Sequence, residues 1–220
     1  MEIKVLKNVM IKNNAVGNDN RKIFLENNVC TINITSSPGA GKTTLLETSL
    51  KILVEKYSTA VIEGDLYTSR DAERLEKYRI PLIQINTEGG CHLDAKMINH
   101  ALKGLDLKNL DLVFIENVGN LVCPASFDLG EDLNILLFSI TEGGDKPKKY
   151  ATIFEKADAV LINKVDLTQP CRIDLDALEK EIHEVNPLSE VFRISALDIK
   201  TMENYLKWLK NKIDEKIKKN

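Results

Sequence analysis

Residues 31–35, 59–63, 82–86, 112–116, 133–140, 159–163 and 191–194 are short apolar runs rich in Val, Ile and Leu, and they predict strands. Most are continuous rather than alternating, as in strands buried on both faces of a parallel sheet. Between them, apolar residues recur at helical spacing and predict helices over 42–57, 69–77, 94–103, 149–156 and 174–186. The clearest helix comes last. Met202, Tyr205, Leu206, Leu209, Ile213 and Ile217 share one face and lysines fill the other, so Tyr205 and Trp208 read as packing residues and the lysines as solvated surface. The alternation from Cys30 onward predicts an α/β fold, three layers with a mostly parallel central sheet flanked by helices. Residues 1–28 are polar and asparagine-rich, with Val16, Ile23, Phe24 and Leu25 predicting one short helix. They read as an N-terminal arm ahead of a single domain over 29–220.

Composition narrows the function. The 220 residues, 43% hydrophobic and 29% charged, suffice for one core and leave little room for extended disorder. No apolar stretch approaches the roughly 20 residues of a membrane span, so a soluble chain without a membrane partner is expected. A net charge of −3 gives no general attraction to phosphate backbones, and nucleic acid is not an expected partner. The start, Met1-Glu2-Ile3-Lys4, lacks the charged and apolar segments of a secretory signal, which predicts a reducing, cytoplasmic setting with Cys30, Cys91, Cys123 and Cys171 as thiols. Cys30 opens a strand and reads as a buried small hydrophobe, Cys171 as a loop thiol, and His100 and His183 as structural.

The segment Ser36-Ser37-Pro38-Gly39-Ala40-Gly41-Lys42-Thr43 follows a predicted strand and opens a predicted helix, the context of a phosphate-binding P-loop. Small residues let successive backbone N–H groups converge on phosphates while the helix N-terminus adds its positive dipole end. Gly39, Ala40 and Gly41 form the turn, Lys42 is placed to reach the β/γ-phosphates, the Thr43 hydroxyl to coordinate Mg²⁺, and Thr44 lies next along. Ser36 stands where the usual pattern has glycine. P-loop topology therefore becomes the expected form of the α/β fold.

Asn163-Lys164-Val165-Asp166 ends a late strand and resembles the guanine-specificity motif of P-loop GTPases. The Asp166 carboxylate can accept from the ring N–H and the exocyclic amine of guanine, a pair that adenine does not offer. The resemblance has Asn163 bonding the base or bracing the P-loop, Lys164 packing across the ring, and Ser195-Ala196 offering backbone N–H groups to the guanine oxygen. Two acidic strand ends, Glu63-Gly64-Asp65 and Glu116-Asn117-Val118-Gly119, fall on the ligand-facing sheet edge. Asp65 is expected to organise Mg²⁺ or the attacking water, Glu116 to support Mg²⁺ directly or through water, and Gly119 to donate its N–H to a γ-phosphate. Lys146 and Lys148, flanking Pro147, read as an exposed turn, with contact to nucleotide or a partner subunit as the alternative.

Cys91-His92 and Cys123-Pro124 combine thiolates with an imidazole, a set that suits Zn²⁺ or Ni²⁺. Spacing alone is weak here, since there is no C-x-x-C pair and three ligands leave a four-coordinate site incomplete. Together, the P-loop, Gly89-Gly90-Cys91-His92-Leu93-Asp94-Ala95, Glu116-Asn117-Val118-Gly119-Asn120-Leu121-Val122-Cys123-Pro124 and Asn163-Lys164-Val165-Asp166 resemble the HypB family of nickel-incorporation GTPases, from about residue 30 onward. That resemblance implies a GTP-dependent homodimer of the SIMIBI class with Cys91, His92 and Cys123 as a metal site at or near the subunit interface. It further implies a nickel metallochaperone working with a HypA-type partner to supply the [NiFe]-hydrogenase large subunit. Many relatives carry a Cys-rich or His-rich nickel motif near the N-terminus, whereas no cysteine precedes Cys30 here, so the Cys91 site is expected to carry the metal role. The alternatives are another SIMIBI metallocentre-assembly GTPase, such as a urease-type chaperone, and a zinc-regulated metal-storage protein with a vestigial nucleotide site.

Overall fold

The computed structural model describes residues 5–65 and 70–217. In chain order the helices are α1 (Val5–Glu26), α2 (Lys42–Leu53), α3 (Arg70–Leu75), α4 (Ala95–Leu102), α5 (Lys146–Lys149), α6 (Ala151–Glu155), α7 (Thr168–Cys171), α8 (Leu175–Val185) and α9 (Glu203–Ile217). The strands are β1 (Cys30–Ser36), β2 (Thr59–Asp65), β3 (Leu82–Asn86), β4 (Leu112–Glu116), β5 (Leu133–Ser139), β6 (Ala159–Asn163) and β7 (Glu190–Arg193). They form one sheet in the order β3-β2-β4-β1-β5-β6-β7, every pairing parallel. The three-layer P-loop architecture follows from the strands' composition. Alternate side chains of a strand face opposite ways, and β2, β4, β5 and β6 carry apolar residues in both directions, so both faces need helical cover.

Ile32, Ile34, Val61, Phe114 and Leu137 pack under α2 and α9. Their neighbours Ile62, Val113 and Ile115 face α1 and α4, while Phe138, Val160 and Ile162 face α6 and α8. Tyr205 is fully buried, and Phe192 meets both Tyr205 and Trp208, at ring separations of 5.9 and 5.7 Å. Cys30 is buried, and burial pushes its thiol up to about 12, consistent with an inert packing role.

Several predicted elements change shape. The helix expected to be short spans 22 residues and is tied down along its length. Phe24 enters the core, and buried Asn20 donates to the carbonyls of Ala95 at 2.8 Å and Leu129 at 3.0 Å. The helix expected over 42–57 ends at Leu53. Residue 69, the expected start of the next helix, lies outside the described residues. The helix expected over 149–156 is two pieces, α5 and α6, broken at Tyr150 (φ −119°, ψ 39°). Strand β5 stops at Ser139, where a capping box with Glu142 begins a 3₁₀ turn. Lys148 pairs with Glu181 at 3.3 Å and Glu184 at 3.0 Å on α8, and Lys146 lies over the Tyr150 ring, so the first is tied to a neighbouring helix and the second to its own turn.

Candidate functional site: a phosphate cradle joined to a thiolate–imidazole cluster

Strands β1 and β4 are neighbours, so the P-loop and the Glu116–Cys123 segment leave the same edge of the sheet side by side. Gly41 adopts φ 104° at the start of α2, whose first turn has no side-chain cap. The N-terminus of α2 points its positive dipole end at the loop. A side chain at Gly41 is excluded twice, by the left-handed backbone and by Asn163 Nδ2, which a Cβ there would approach to 2.9 Å. Lys42 Nζ donates to Ser36 Oγ at 3.0 Å, so the serine that replaces the usual glycine gives the ammonium a neutral acceptor within the loop.

Asn163 braces rather than merely borders this turn: its Nδ2 donates to Ala40 O at 2.8 Å and its Oδ1 accepts from Ala196 N at 2.9 Å. Lys164, itself left-handed at φ 64°, donates from Nζ to Gly39 O at 2.7 Å. One recess is lined by Gly41, Thr44, Asn163, Lys164, Asp166, Ser195 and Ala196. Leu167 and Leu197 stand exposed on its rim.

The Thr43 hydroxyl donates to Glu116 Oε1 at 3.0 Å, and both groups are buried. Glu63 lies directly across from Glu116 in the β2–β4 register and is equally buried. Being two residues from Asp65, Glu63 shares its side of the sheet, the side of α2. Asp65 is half-buried at the end of β2, and Thr87 N donates to its backbone carbonyl at 3.0 Å. The pairing of Glu63 with Glu116 depends on cross-strand register, which is not written in either segment. These hard oxygen donors fit a small divalent cation such as Mg²⁺. Gly119 closes against the loop: a Cβ there would lie 3.0 Å from Pro38 Cα, so only glycine lets the two backbones meet.

Beyond Gly119, Cys91, His92 and Cys123 bring one donor atom each to within 4.8 Å of the others. Cys91 Sγ donates to Cys123 Sγ at 2.9 Å and lies 3.7 Å from His92 Nδ1. The His92 ring stacks on Phe127 at 3.9 Å, which fixes the imidazole plane. Burial lowers the His92 pKa against the opposing pull of Asp94, favouring the neutral, ligating form, while the Cys91 hydrogen bond raises that of the Cys123 thiol. A soft ion that takes sulfur and imidazole matches this donor set. Cys171 is part-buried against the β5–β6 side of the core, away from this cluster.

No helix among the described residues is long and apolar enough to cross a membrane. The CobW/HypB/UreG nucleotide-binding domain pattern matches residues 30–193. The chain is 44% identical over 207 residues to the hydrogenase maturation factor HypB of Azotobacter vinelandii, covering 94% of this chain and 68% of that one. It is 46% identical over 209 residues to the Escherichia coli K12 protein of the same name, covering 95% and 71%. The crystal structure of HypB from Helicobacter pylori in complex with nickel superposes with a TM-score of 0.88 at 38% identity, over 93% of this chain and 96% of that one. Seated on a P-loop fold with the motif segments on one sheet edge, these likenesses show that the chain belongs to the CobW/HypB/UreG family of nucleotide-binding domains and, within it, to HypB.

Proposed function

We propose that this chain is a GTP-hydrolysing metallochaperone that binds nickel or zinc through Cys91, His92 and Cys123 and supports nickel insertion into [NiFe]-hydrogenase. One observation carries the reading: the Glu116–Cys123 segment begins at a carboxylate bonded to the P-loop threonine and ends at a metal donor. Reordering of that segment around a γ-phosphate moves a metal ligand, so nucleotide state sets metal affinity and, by linkage, metal sets nucleotide affinity.

In the nucleotide site, Gly39, Ala40, Gly41, Thr43 and Thr44 hold the phosphates through the loop and first turn of α2. Lys42 leaves Ser36 for the β/γ-phosphates and counters the charge that develops there. Asp166, Lys164, Ser195 and Ala196 select guanine, with Asn163 keeping their loops against the P-loop. Thr43, Asp65 and Glu116 hold Mg²⁺, which when bound neutralises phosphate charge. Asp65 also orients the attacking water, and Gly119 donates to the γ-phosphate. The domain over 29–220, with α1 as its arm, acts as a homodimer whose assembly depends on nucleotide or metal. Its expected partners are a HypA-type nickel chaperone and the hydrogenase large subunit, in the cytoplasm.

Lys42→Ala is expected to lower GTP turnover by about 10²-fold or more, a loss of the size seen when a charge-stabilising donor is removed. Asp166→Ala is expected to weaken GTP binding about 10²- to 10⁴-fold and leave ATP binding unchanged, since it removes two charge-assisted hydrogen bonds. Turnover indifferent to Lys42, with metal binding retained, would instead identify a metal-storage module with a silent nucleotide site.

A further inference from the structure

Glu116 ends β4, and Asn117 follows it still paired to β1, its N–H donating to Ile34 O at 3.0 Å, so the two side chains leave the sheet on opposite faces. Glu116 reaches Thr43 on the α2 side. Asn117, 1% exposed, reaches the other way, to the loop that carries Cys91 and His92. Its Oδ1 accepts from two backbone donors, Leu93 N at 3.1 Å and Val118 N at 3.0 Å. Its Nδ2 donates to Asn33 Oδ1 at 3.3 Å, and Asn33 donates onward to Asn134 at 3.0 Å. The amide is therefore anchored on β1 and β5 while its oxygen straps the residue after His92 to the residue before Gly119.

Main-chain continuity from Gly119 leads to Cys123 alone, and the other two donors belong to a separate segment. We infer that Asn117 is the positioning residue through which nucleotide state reaches Cys91 and His92. The inference rests on the proposed coupling and names its second route. When Gly119 engages or releases a γ-phosphate, the Val118–Gly119 peptide turns and, through Val118, shifts the preceding peptide, whose N–H the Asn117 oxygen holds. An Asn117 amide drawn along with Val118 N keeps its bond to Leu93 N only if Leu93 follows. Asn120 adds a second strap between the same segments: its Nδ2 donates to Cys91 O at 3.3 Å, while its Oδ1 accepts from Val122 N at 2.8 Å. The geometry makes the two halves of the donor set respond together.

The test measures Ni²⁺ affinity by competition with a chromogenic chelator, in the GDP form and with a non-hydrolysable GTP analogue. It compares wild type, Asn117→Ala, the near-isosteric Asn117→Leu, and Asn33→Ala. The last removes a buried anchor of Asn117 but leaves the Oδ1–Leu93 bond. Wild type is expected to show a ratio between the two forms in the 5- to 150-fold range of allosteric couplings. Both Asn117 variants are expected to lower that ratio several-fold, the main-chain route to Cys123 keeping it above one, and Asn33→Ala to retain most of it at a comparable loss of thermal stability. The full wild-type ratio in both Asn117 variants overturns the inference and leaves the coupling standing. A wild-type ratio of one removes the coupling and the inference with it. Amide exchange at Leu93 in the unaltered protein provides a readout that does not depend on variant folding. Its protection is expected to differ between the two nucleotide forms, and equal protection overturns the assignment.

Discussion

The residues of the proposed sites differ in how plainly they announce themselves. Lys42, Thr43, Asn163 and Asp166 sit in contiguous motifs, because a phosphate turn or a base clamp is built from neighbours in the chain. Glu63 and Asn117 meet neighbours far away in sequence and carry no comparable signal. Gly41 marks the limit of tolerance, with φ 104° and the Asn163 amide against its missing side chain. Gly41→Ala is expected to cost about 1–3 kcal/mol of stability and to weaken nucleotide binding, checked by denaturant titration and nucleotide titration on one preparation. At the cluster, the raised Cys123 thiol is protonated at neutral pH, so a metal must displace its proton. Metal affinity is therefore expected to rise with pH, about tenfold per unit for that one proton. The lowered His92 is already neutral at pH 7 and competes with metal only under more acidic conditions. Chelator competition across pH 6–8 reads the slope, and Cys123→Ala is expected to lower it by the share of that one proton.

Elements were legible where their apolar positions were periodic. The strands and α9 follow directly from burial on predictable faces, and the break between α5 and α6 rests on the backbone turn at Tyr150. Helix α1 was under-read because two of its inward positions are asparagines. Asn13 donates to Asp128 O at 2.8 Å and accepts from Ala95 N at 2.9 Å, and Asn20 holds two carbonyls while accepting from Asn99. Polar residues satisfied inside a fold look like surface in a sequence. Asn20→Ala leaves those groups without their donor in a site where water has no access, and is expected to cost about 1–3 kcal/mol, measured by urea unfolding.

At the scale of the whole molecule, three donors on one chain leave a tetrahedral ion a vacant position, the physical reason to expect a second subunit at the proposed metal site. Addition of Ni²⁺ or Zn²⁺ is expected to shift the protein from monomer to dimer in size-exclusion chromatography with light scattering, and Cys91→Ala or Cys123→Ala to abolish the shift. By itself the sequence determined the α/β class, the order of its strands and helices along the chain, and the phosphate and base motifs, since each is encoded by periodicity or by adjacent residues. Tertiary structure alone decided that Glu63 stands beside Glu116 and that α1 is part of the core, and it gave the geometry, which family resemblance only implied, by which Asn163 bonds the P-loop and Cys91, His92 and Cys123 meet. Those outcomes depend on strand register and on loops brought together at one sheet edge, where proximity is set by packing of the entire fold rather than by spacing along the chain.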